Sequence, residues 1–312
     1  VNGAKNSTAT GTTATAEPGR RYVGRFAPSP TGDLHLGSLY CAAASFLDAR
    51  AHGGDWLVRM EDLDRPREIP GAADRILATL EAFGFEWDGE VIRQSTRLRR
   101  YDSVLGELRA RGLLFECSCS RLELADEDRY PGHCRQGPLH PERATATRLR
   151  VEPRSIAFTD RVQGRYRQEV ASASGDLILK RRDGLFAYVF AVVLDDAAQG
   201  VTHVTRGADL LDNTPPQIYL HGVLELSPPA YAHVPVLTES DGEKLAKSRR
   251  SVRADSGHAL ATLIGLFELL NLSPPVELLD GGVREAWSWA IRHWKMSRLP
   301  RRLTLPAQAS PD

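Results

Sequence analysis

Arg25-Phe26-Ala27-Pro28-Ser29-Pro30-Thr31-Gly32-Asp33-Leu34-His35-Leu36-Gly37-Ser38 is the stretch whose reading decides the fold. It opens as the end of a strand, its prolines pin a rigid turn, and Gly32 and Gly37 leave space beside the backbone. Ser38 is the expected N-cap of a following helix. Leu39, Ala42, Ala43, Phe46 and Leu47 recur at the spacing of an amphipathic helix. Gly53-Gly54 stops that helix, and Trp56-Leu57-Val58-Arg59-Met60 reads as the next strand. The unit is strand, loop, helix, strand, with Gly and His in a loop at a helix N-terminus. Free backbone N–H groups and the positive end of the helix dipole make that place a phosphate site.

Outward from this unit the composition is that of a soluble globular enzyme. A chain of 312 residues can bury one large core, or a core plus an insertion. Lys plus Arg and Asp plus Glu both number 40, so no global positive charge advertises nucleic acid, and any RNA contact must come from local patches. The apolar runs are too short to span a bilayer. Residues 1–20, rich in Ser, Thr, Ala and Gly, resemble neither a signal peptide nor a helix and read as a disordered tail. The expected compartment is the cytoplasm. No internal repeat is present.

Two scaffold helices follow the first unit. Ile76, Leu77, Leu80 and Phe83 stripe residues 71–84 before Gly84, and Tyr101, Val104, Leu105 and Leu108 stripe Arg99 to Arg111 before Gly112. Residues 140–184 read as β-rich, with alternation in Ala146–Val151 and Asp176–Lys180. Lys180-Arg181-Arg182 reads as a solvated surface run. The sheet is expected to resume at Leu185–Leu194, an apolar run suited to a buried strand or a helix, before Asp195-Asp196. Gly200–Thr205 and Tyr231–Leu237 read as strands, and Pro215-Pro216 opens a helix over Gln217–Leu226. Leu260, Leu263, Ile264, Phe267 and Leu270 predict a helix over 258–271. The segment 284–298 is rich in Trp and Arg; it suits either RNA phosphate or packing of Trp287 and Trp294 on the core.

Charged residues at strand ends and clustered thiols supply the candidate chemistry. Open α/β sheets place ligands at the carboxyl edge of their strands. Arg25 and Glu61 sit at such ends and suit the two ends of an amino acid, Arg25 a carboxylate and Glu61 the amino group. Arg206 is similarly placed for a side-chain carboxylate. Of four cysteines, Cys117, Cys119 and Cys134 are clustered, which in a cytosolic chain argues for metal over disulfides. A tetrahedral zinc site needs a fourth donor, either Tyr130 or His133. Cys41, on the first helix, reads as a small buried hydrophobe.

His35-Leu36-Gly37-Ser38 resembles the HIGH signature of class I aminoacyl-tRNA synthetases, and Arg25–Gly32 is similar to the opening of the glutamyl branch. Arg59-Met60-Glu61-Asp62-Leu63-Asp64, Phe186-Ala187-Tyr188 and Thr205-Arg206-Gly207-Ala208-Asp209-Leu210 are similar to the same branch. Lys244-Leu245-Ala246-Lys247-Ser248 looks like its KMSKS loop, with Ala246 departing from the usual small hydroxyl residue. Ser38 stands where the general class pattern has histidine, a replacement frequent in the glutamyl branch. Cys117-Ser118-Cys119 with Tyr130 and Cys134 resembles the zinc site of the glutamyl-Q tRNA(Asp) synthetases, where the tyrosine oxygen coordinates. Too little chain follows Ser248 for the helical anticodon-binding domain of a discriminating glutamyl-tRNA synthetase.

The resemblance implies an α/β fold: a Rossmann-like parallel sheet with an inserted zinc-bearing acceptor-type domain and a short helical C-terminal segment. The expected divisions are a tail over 1–20, catalytic halves over 21–115 and 185–250, the insertion over 116–184 and the C-terminal segment over 251–312. It implies an ATP-dependent ligase that forms glutamyl-adenylate and passes glutamate to queuosine at the wobble position of tRNA(Asp). Its partners would be L-glutamate, ATP with Mg2+ and tRNA(Asp) bearing queuosine, with the chain a monomer. It implies catalysis by His35, Lys244 and Lys247, and ATP binding by His35, Gly37, Ser38 and Lys247. Glutamate would be held by Arg25, Ala27, Ser29, Glu61, Tyr188 and Arg206. One structural Zn2+ would sit on Cys117, Cys119, Tyr130 and Cys134. A truncated glutamyl-tRNA synthetase charging tRNA(Glu) and a catalytically silent RNA-binding paralogue are the alternative readings.

Overall fold

A computed structural model describes residues 19–127, 129–238 and 256–307. Strand β1 (Val23–Phe26), helix α1 (Leu36–Ala51) and strand β2 (Asp55–Met60) form the expected first unit. The two strands pair in parallel, with Val23 opposite Asp55 and Phe26 opposite Val58. Helix α1 buries Leu39, Ala42, Ala43, Phe46 and Leu47, but Tyr40, Ala44, Ser45, Asp48 and Ala49 are buried as well, so the helix expected to be amphipathic is packed on nearly every side. Its cap differs from expectation: the helix starts at Leu36, and His35, not Ser38, is the N-cap. The His35 side chain accepts the Ser38 N–H, so an imidazole lone pair serves the amide that a cap hydroxyl ordinarily serves.

Helix α2 (Ala72–Ala82), strand β3 (Ile92–Arg93) and helix α3 (Leu98–Ala110) follow, with β3 parallel to β2. Gly84 and Gly112, at φ 73° and 71°, end the two helices in the left-handed conformation. The chain then builds β4 (Leu114–Cys117), β5 (Ala146–Leu149), β6 (Ser155–Asp160), β7 (Gly164–Glu169), the one-turn α4 (Val170–Ala173) and β8 (Leu177–Lys180). Strands β4, β5 and β8 form an antiparallel sheet in that order, and β6 and β7 form a hairpin.

Helix α5 (Tyr188–Ala198) occupies most of the run expected to resume the sheet. A helix packed on every side is apolar all round, so the run carries no period to separate it from a buried strand. Strand β9 (His203–Gly207), helix α6 (Thr214–Val223), strand β10 (Ala230–Val234) and strand β11 (Val236–Thr238) complete this part. The single strand expected over Tyr231–Leu237 is divided at Pro235, which has no N–H to give a ladder. Strands β9 and β10 are parallel, and Thr202 N–H donates to the Val23 carbonyl (2.9 Å) where they meet β1.

Helices α7 (Ala259–Leu269) and α8 (Val283–His293) precede β12 (Thr304–Pro306), which pairs in parallel with β11. The C-terminal segment is therefore not wholly helical, since it adds a strand beside Val236–Thr238. Trp287 and Trp294 are buried. Their indole N–H groups donate to the Phe83 carbonyl (2.8 Å) and Asp48 Oδ1 (3.0 Å), so the aromatic segment packs on the core through these residues. One buried cluster joins α1, β2, α7 and α8; a second joins α3, α5, α6 and the inserted strands. Among the described residues no helix is long and apolar enough to cross a membrane.

Candidate active site

A cavity of about 650 Å3 opens at the N-terminus of α1, within the roughly 300–1,000 Å3 of small-ligand sites. Ala27, Ser29, Thr31, Asp33, His35, Gly37, Ser38 and Cys41 line one side, and Gly207, Asp209, Pro235, Val236 and Leu237 the other. The His35 ring lies back over the first helical turn. Nδ1 is 3.2 Å from the Ser38 amide and Nε2 is 3.0 Å from Ser38 Oγ. Accepting at Nδ1 requires the neutral ring, and burial lowers the His35 pKa in that sense. A Cβ on Gly37 would meet the ring at 3.2 Å, so glycine makes room for the imidazole. Cys41 is only partly buried and lines the cavity, a departure from its reading as a core residue. Burial, with Asp209 adding, pushes its thiol up to about 12, which keeps it protonated. Lys244 and Lys247 lie outside the described residues.

Beside this cavity the strand ends carry a buried charged cluster. Arg25, on β1, donates from Nε to Asp196 Oδ1 at 3.3 Å, while both Nη groups have no acceptor among the described residues. Arg59, on β2 and fully buried, reaches the same oxygen at 2.7 Å, Gln199 Oε1 at 2.8 Å and Glu61 Oε1 at 3.2 Å. Burial opposes the charge on Asp196, but Arg25 and Arg59 outweigh it and hold the carboxyl below its usual range. For Glu61 burial wins over the pull of Arg59 and Arg25, and its pKa is raised. Its Oε2 has no partner among the described residues. The Glu61 amide also donates to the Pro28 carbonyl (2.9 Å), which ties this carboxylate to the cavity loop.

Arg206, on β9, is differently held. Nε donates to His233 Nε2 (3.1 Å), Nη2 to Thr214 Oγ1 (2.8 Å) and Gln217 Oε1 (2.9 Å), and Nη1 to Tyr188 Oη (3.2 Å). Every one of these partners is neutral, and no carboxylate lies in ion-pair range among the described residues. The Tyr231 ring, 5.4 Å from the Arg206 guanidinium carbon, lies within electrostatic reach of Arg206, Asp196, Arg25 and Tyr188. The fold therefore brings Arg25, Glu61, Tyr188 and Arg206 to one place, with Ala27 and Ser29 continuing into the cavity that holds His35, Gly37 and Ser38.

The three clustered thiols converge away from this cavity. Cys117, at the end of β4, Cys119 and Cys134 are buried, and their sulfurs lie within 4.8 Å of one another. The Tyr130 hydroxyl accepts the Cys134 N–H (2.8 Å), and Tyr130 shares one buried cluster with the three cysteines. His133 is exposed, with its ring centroid 6.5 Å from that of Tyr130. Burial opposes ionisation of Cys134, but the Leu139 N–H and Ser118 bring its thiol down to about 6. The Arg148 guanidinium stacks 3.7 Å from the centre of the Tyr130 ring. Gly175, at φ 66°, bridges Tyr130, and a Cβ there would meet the Tyr130 carbonyl oxygen at 2.3 Å. The basic run behind this loop is bracing: Lys180 pairs with Asp102, Arg181 with Asp183, and Arg182 donates to the Ser118 and Cys119 carbonyls.

Sequence reasoning assigned no role to Arg59, Asp196, Asp160, His233, Thr214 or Gln217. The available signal was a charged residue inside an apolar strand, as in Val58-Arg59-Met60, or at the end of an apolar run, as in Leu194-Asp195-Asp196.

Comparison with known proteins places this geometry in a family. The family model for tRNA synthetases class I (E and Q), catalytic domain, matches residues 22–260. A glutamyl-Q tRNA(Asp) synthetase of Pseudomonas paraeruginosa is 53% identical over 289 residues, which cover 92% of this chain and 98% of the relative. One from Dechloromonas aromatica is 50% identical over 300 residues, covering 92% and 99%. Among solved structures, a glutamate–tRNA synthetase of Elizabethkingia anophelis superposes with a TM-score of 0.76 at 22% identity, covering 91% of this chain and 67% of its own. This last likeness concerns the fold.

Proposed function

The chain belongs to the glutamyl-Q tRNA(Asp) synthetases, within the class I synthetases of the glutamyl and glutaminyl branch, and from that premise we propose how its residues perform the family's reaction. The enzyme joins glutamate to ATP as glutamyl-adenylate and transfers the glutamyl group to queuosine of tRNA(Asp). The observation that carries the choice of glutamate is the buried Arg206 guanidinium, bound by neutral groups alone and leaving one Nη1 hydrogen beside the half-exposed Tyr188. A side-chain carboxylate supplies the missing counter-charge there. The open Nη groups of Arg25 take the second carboxylate, and Glu61 takes the ammonium group.

ATP lies with its phosphates against the N-terminus of α1, where first-turn amides and the helix dipole favour negative charge. His35, neutral and held across Ser38, contacts phosphate through its ring edge. Lys244 and Lys247 neutralise the charge that grows on the leaving pyrophosphate. The glutamate carboxylate oxygen attacks the α-phosphorus and pyrophosphate leaves. A queuosine hydroxyl then attacks the acyl carbon and AMP leaves. No covalent enzyme intermediate is needed, because positioning and electrostatic stabilisation carry both steps.

One Zn2+ fits Cys117, Cys119, Cys134 and the Tyr130 oxygen. Three buried sulfurs and the buried Tyr130 phenol beside them supply four donors, as a structural zinc site needs. The ion would knit the loop between β4 and β5 and take no part in the chemistry. Chelation should therefore loosen this loop, read as faster amide exchange at residues 117–135, while glutamate-dependent pyrophosphate exchange persists.

The functional test supplies labelled glutamate and ATP with tRNA(Asp) bearing queuosine, tRNA(Asp) lacking it, or tRNA(Glu). Label on the first alone is the expected result. Label on tRNA(Glu) would make the protein a charging enzyme, and absence of any pyrophosphate exchange would make it catalytically silent.

A further inference from the structure

Arg206 is oriented through an imidazole whose far side is held by a carboxylate from the inserted strands. Asp160, the last residue of β6, is fully buried with His233, and its Oδ2 is 2.6 Å from His233 Nδ1. Its Oδ1 accepts the backbone N–H groups of Val162 (3.0 Å), Gln163 (2.8 Å) and His233 (3.1 Å). We propose that Asp160 and His233 are a positioning pair for Arg206: Asp160 fixes the imidazole as its Nδ1–H tautomer, so that Nε2 offers a lone pair to Arg206 Nε–H and aims the guanidinium at the substrate's side-chain carboxylate without neutralising it. The inference rests on the reading of Arg206 as the residue that takes that carboxylate.

The bonding admits one protonation pattern. A guanidinium nitrogen only donates, so His233 Nε2, 3.1 Å from Arg206 Nε, must accept. An ionised carboxylate only accepts, so the proton of the bond to Asp160 sits on Nδ1. Both conditions are met by the neutral Nδ1–H tautomer and by neither the Nε2–H tautomer nor the imidazolium. Burial, joined by Arg206 and Arg25, lowers the His233 pKa against the pull of Asp160. A carboxylate in direct contact would also hold Arg206 in place, but it would cancel the charge the ligand needs, as Asp196 does for Arg59. Interposing the ring separates orientation from neutralisation. The remaining donors are fixed by Thr214 and Gln217 on α6, which leaves the Nη1 edge beside Tyr188 as the open direction.

The decisive variant is Asp160→Asn in the full chain. Its Oδ1 retains the backbone bonds, but its amide N–H faces His233 Nδ1, which moves the ring proton to Nε2 and sets it against Arg206 Nε–H. Glutamate-dependent pyrophosphate exchange should show a KM for glutamate raised at least about tenfold, with the KM for ATP within about twofold. Preference for glutamate over glutamine should fall with it. His233→Phe, which keeps a ring but no acceptor, should behave alike, and His233→Gln, which restores an acceptor oxygen, should recover part of the loss. The 15N spectrum of the unaltered protein should show His233 protonated at Nδ1 alone, a readout independent of how the variants fold. Protonation at Nε2, or an unchanged glutamate KM in folded Asp160→Asn and His233→Phe, overturns the pairing. Failure of the unaltered chain to exchange pyrophosphate with glutamate would instead overturn the functional reading on which it rests.

Discussion

Two strips of buried arginine meet at the same strand ends under opposite rules. On β1 and β2, Arg25 and Arg59 share Asp196, and Arg59 also meets Glu61, so charge is balanced within the protein. On β9, Arg206 is held by a ring nitrogen, two hydroxyls and an amide oxygen, and its charge has no protein carboxylate among the described residues. A buried ion pair locks geometry and is costly to break on one side, whereas a guanidinium bound by neutral groups keeps its field for a ligand. On the reading proposed above, the first strip ties strands together and offers only its open edges to a ligand, while the second keeps the whole charge of Arg206 for a side-chain carboxylate.

Arg206→Met offers the strongest test of that contrast. Loss of a buried, hydrogen-bonded charge partner should lower glutamate-dependent kcat/KM by about a thousandfold, with urea unfolding showing a smaller stability loss than that of Asp196→Asn. Asp196→Asn should do the reverse in kind. It leaves Arg25 without its carboxylate and Arg59 with Glu61 alone, and should cost about 3–5 kcal/mol of stability, measured by urea unfolding. If Arg206→Met proved the less stable protein, the division would be wrong.

A smaller effect lies behind β1. His203 stacks on Tyr22 with ring centroids 3.9 Å apart, and burial, followed by Arg161, lowers its pKa to about 4. The folded value lies below the ordinary 6.5, so the unfolded chain binds more protons in acid. The neutral ring's contribution is full above pH 6.5 and is lost as pH falls toward about 4. With solvent screening of a part-exposed ring, this amounts to about 1–2 kcal/mol. His203→Phe should flatten the stability–pH curve in that window, measured by urea unfolding at a series of pH values. An unchanged slope would show that neutral aromatic packing behind β1 contributes nothing to acid sensitivity.

Local patterns were legible where one face of an element meets water. The stripes of α2, α3 and α7 announced themselves through spacing, and Gly84 and Gly112 marked real helix ends, whereas α1, expected to be amphipathic, is buried on nearly every side. The run Leu185–Leu194 is ambiguous because α5 buries every residue from Phe190 to Asp196, so its apolar residues set no period. The N-cap was misplaced because histidine is a rare cap, and only the fold of its ring over Gly37 reveals the acceptor. The candidate site shows the same division. Arg25, Glu61 and Arg206 stood out by residue type at strand ends, the clustered cysteines by spacing, and Tyr188 only through the family resemblance. Asp160 and His233 did not, since each is an ordinary residue of an ordinary strand until the two meet.

The amino-acid sequence by itself determined the first strand–loop–helix unit, its glycine-bearing loop and the identity of the thiols, because these depend on neighbours a few positions apart. Only the tertiary structure decided which buried charges cancel and which stay open. Asp196 reaches Arg25 and Arg59 across 171 and 137 positions, and Asp160 reaches His233 across 73. Electrostatics acts through space over a few ångströms, and separation along the chain carries no record of that distance until the strands are laid side by side.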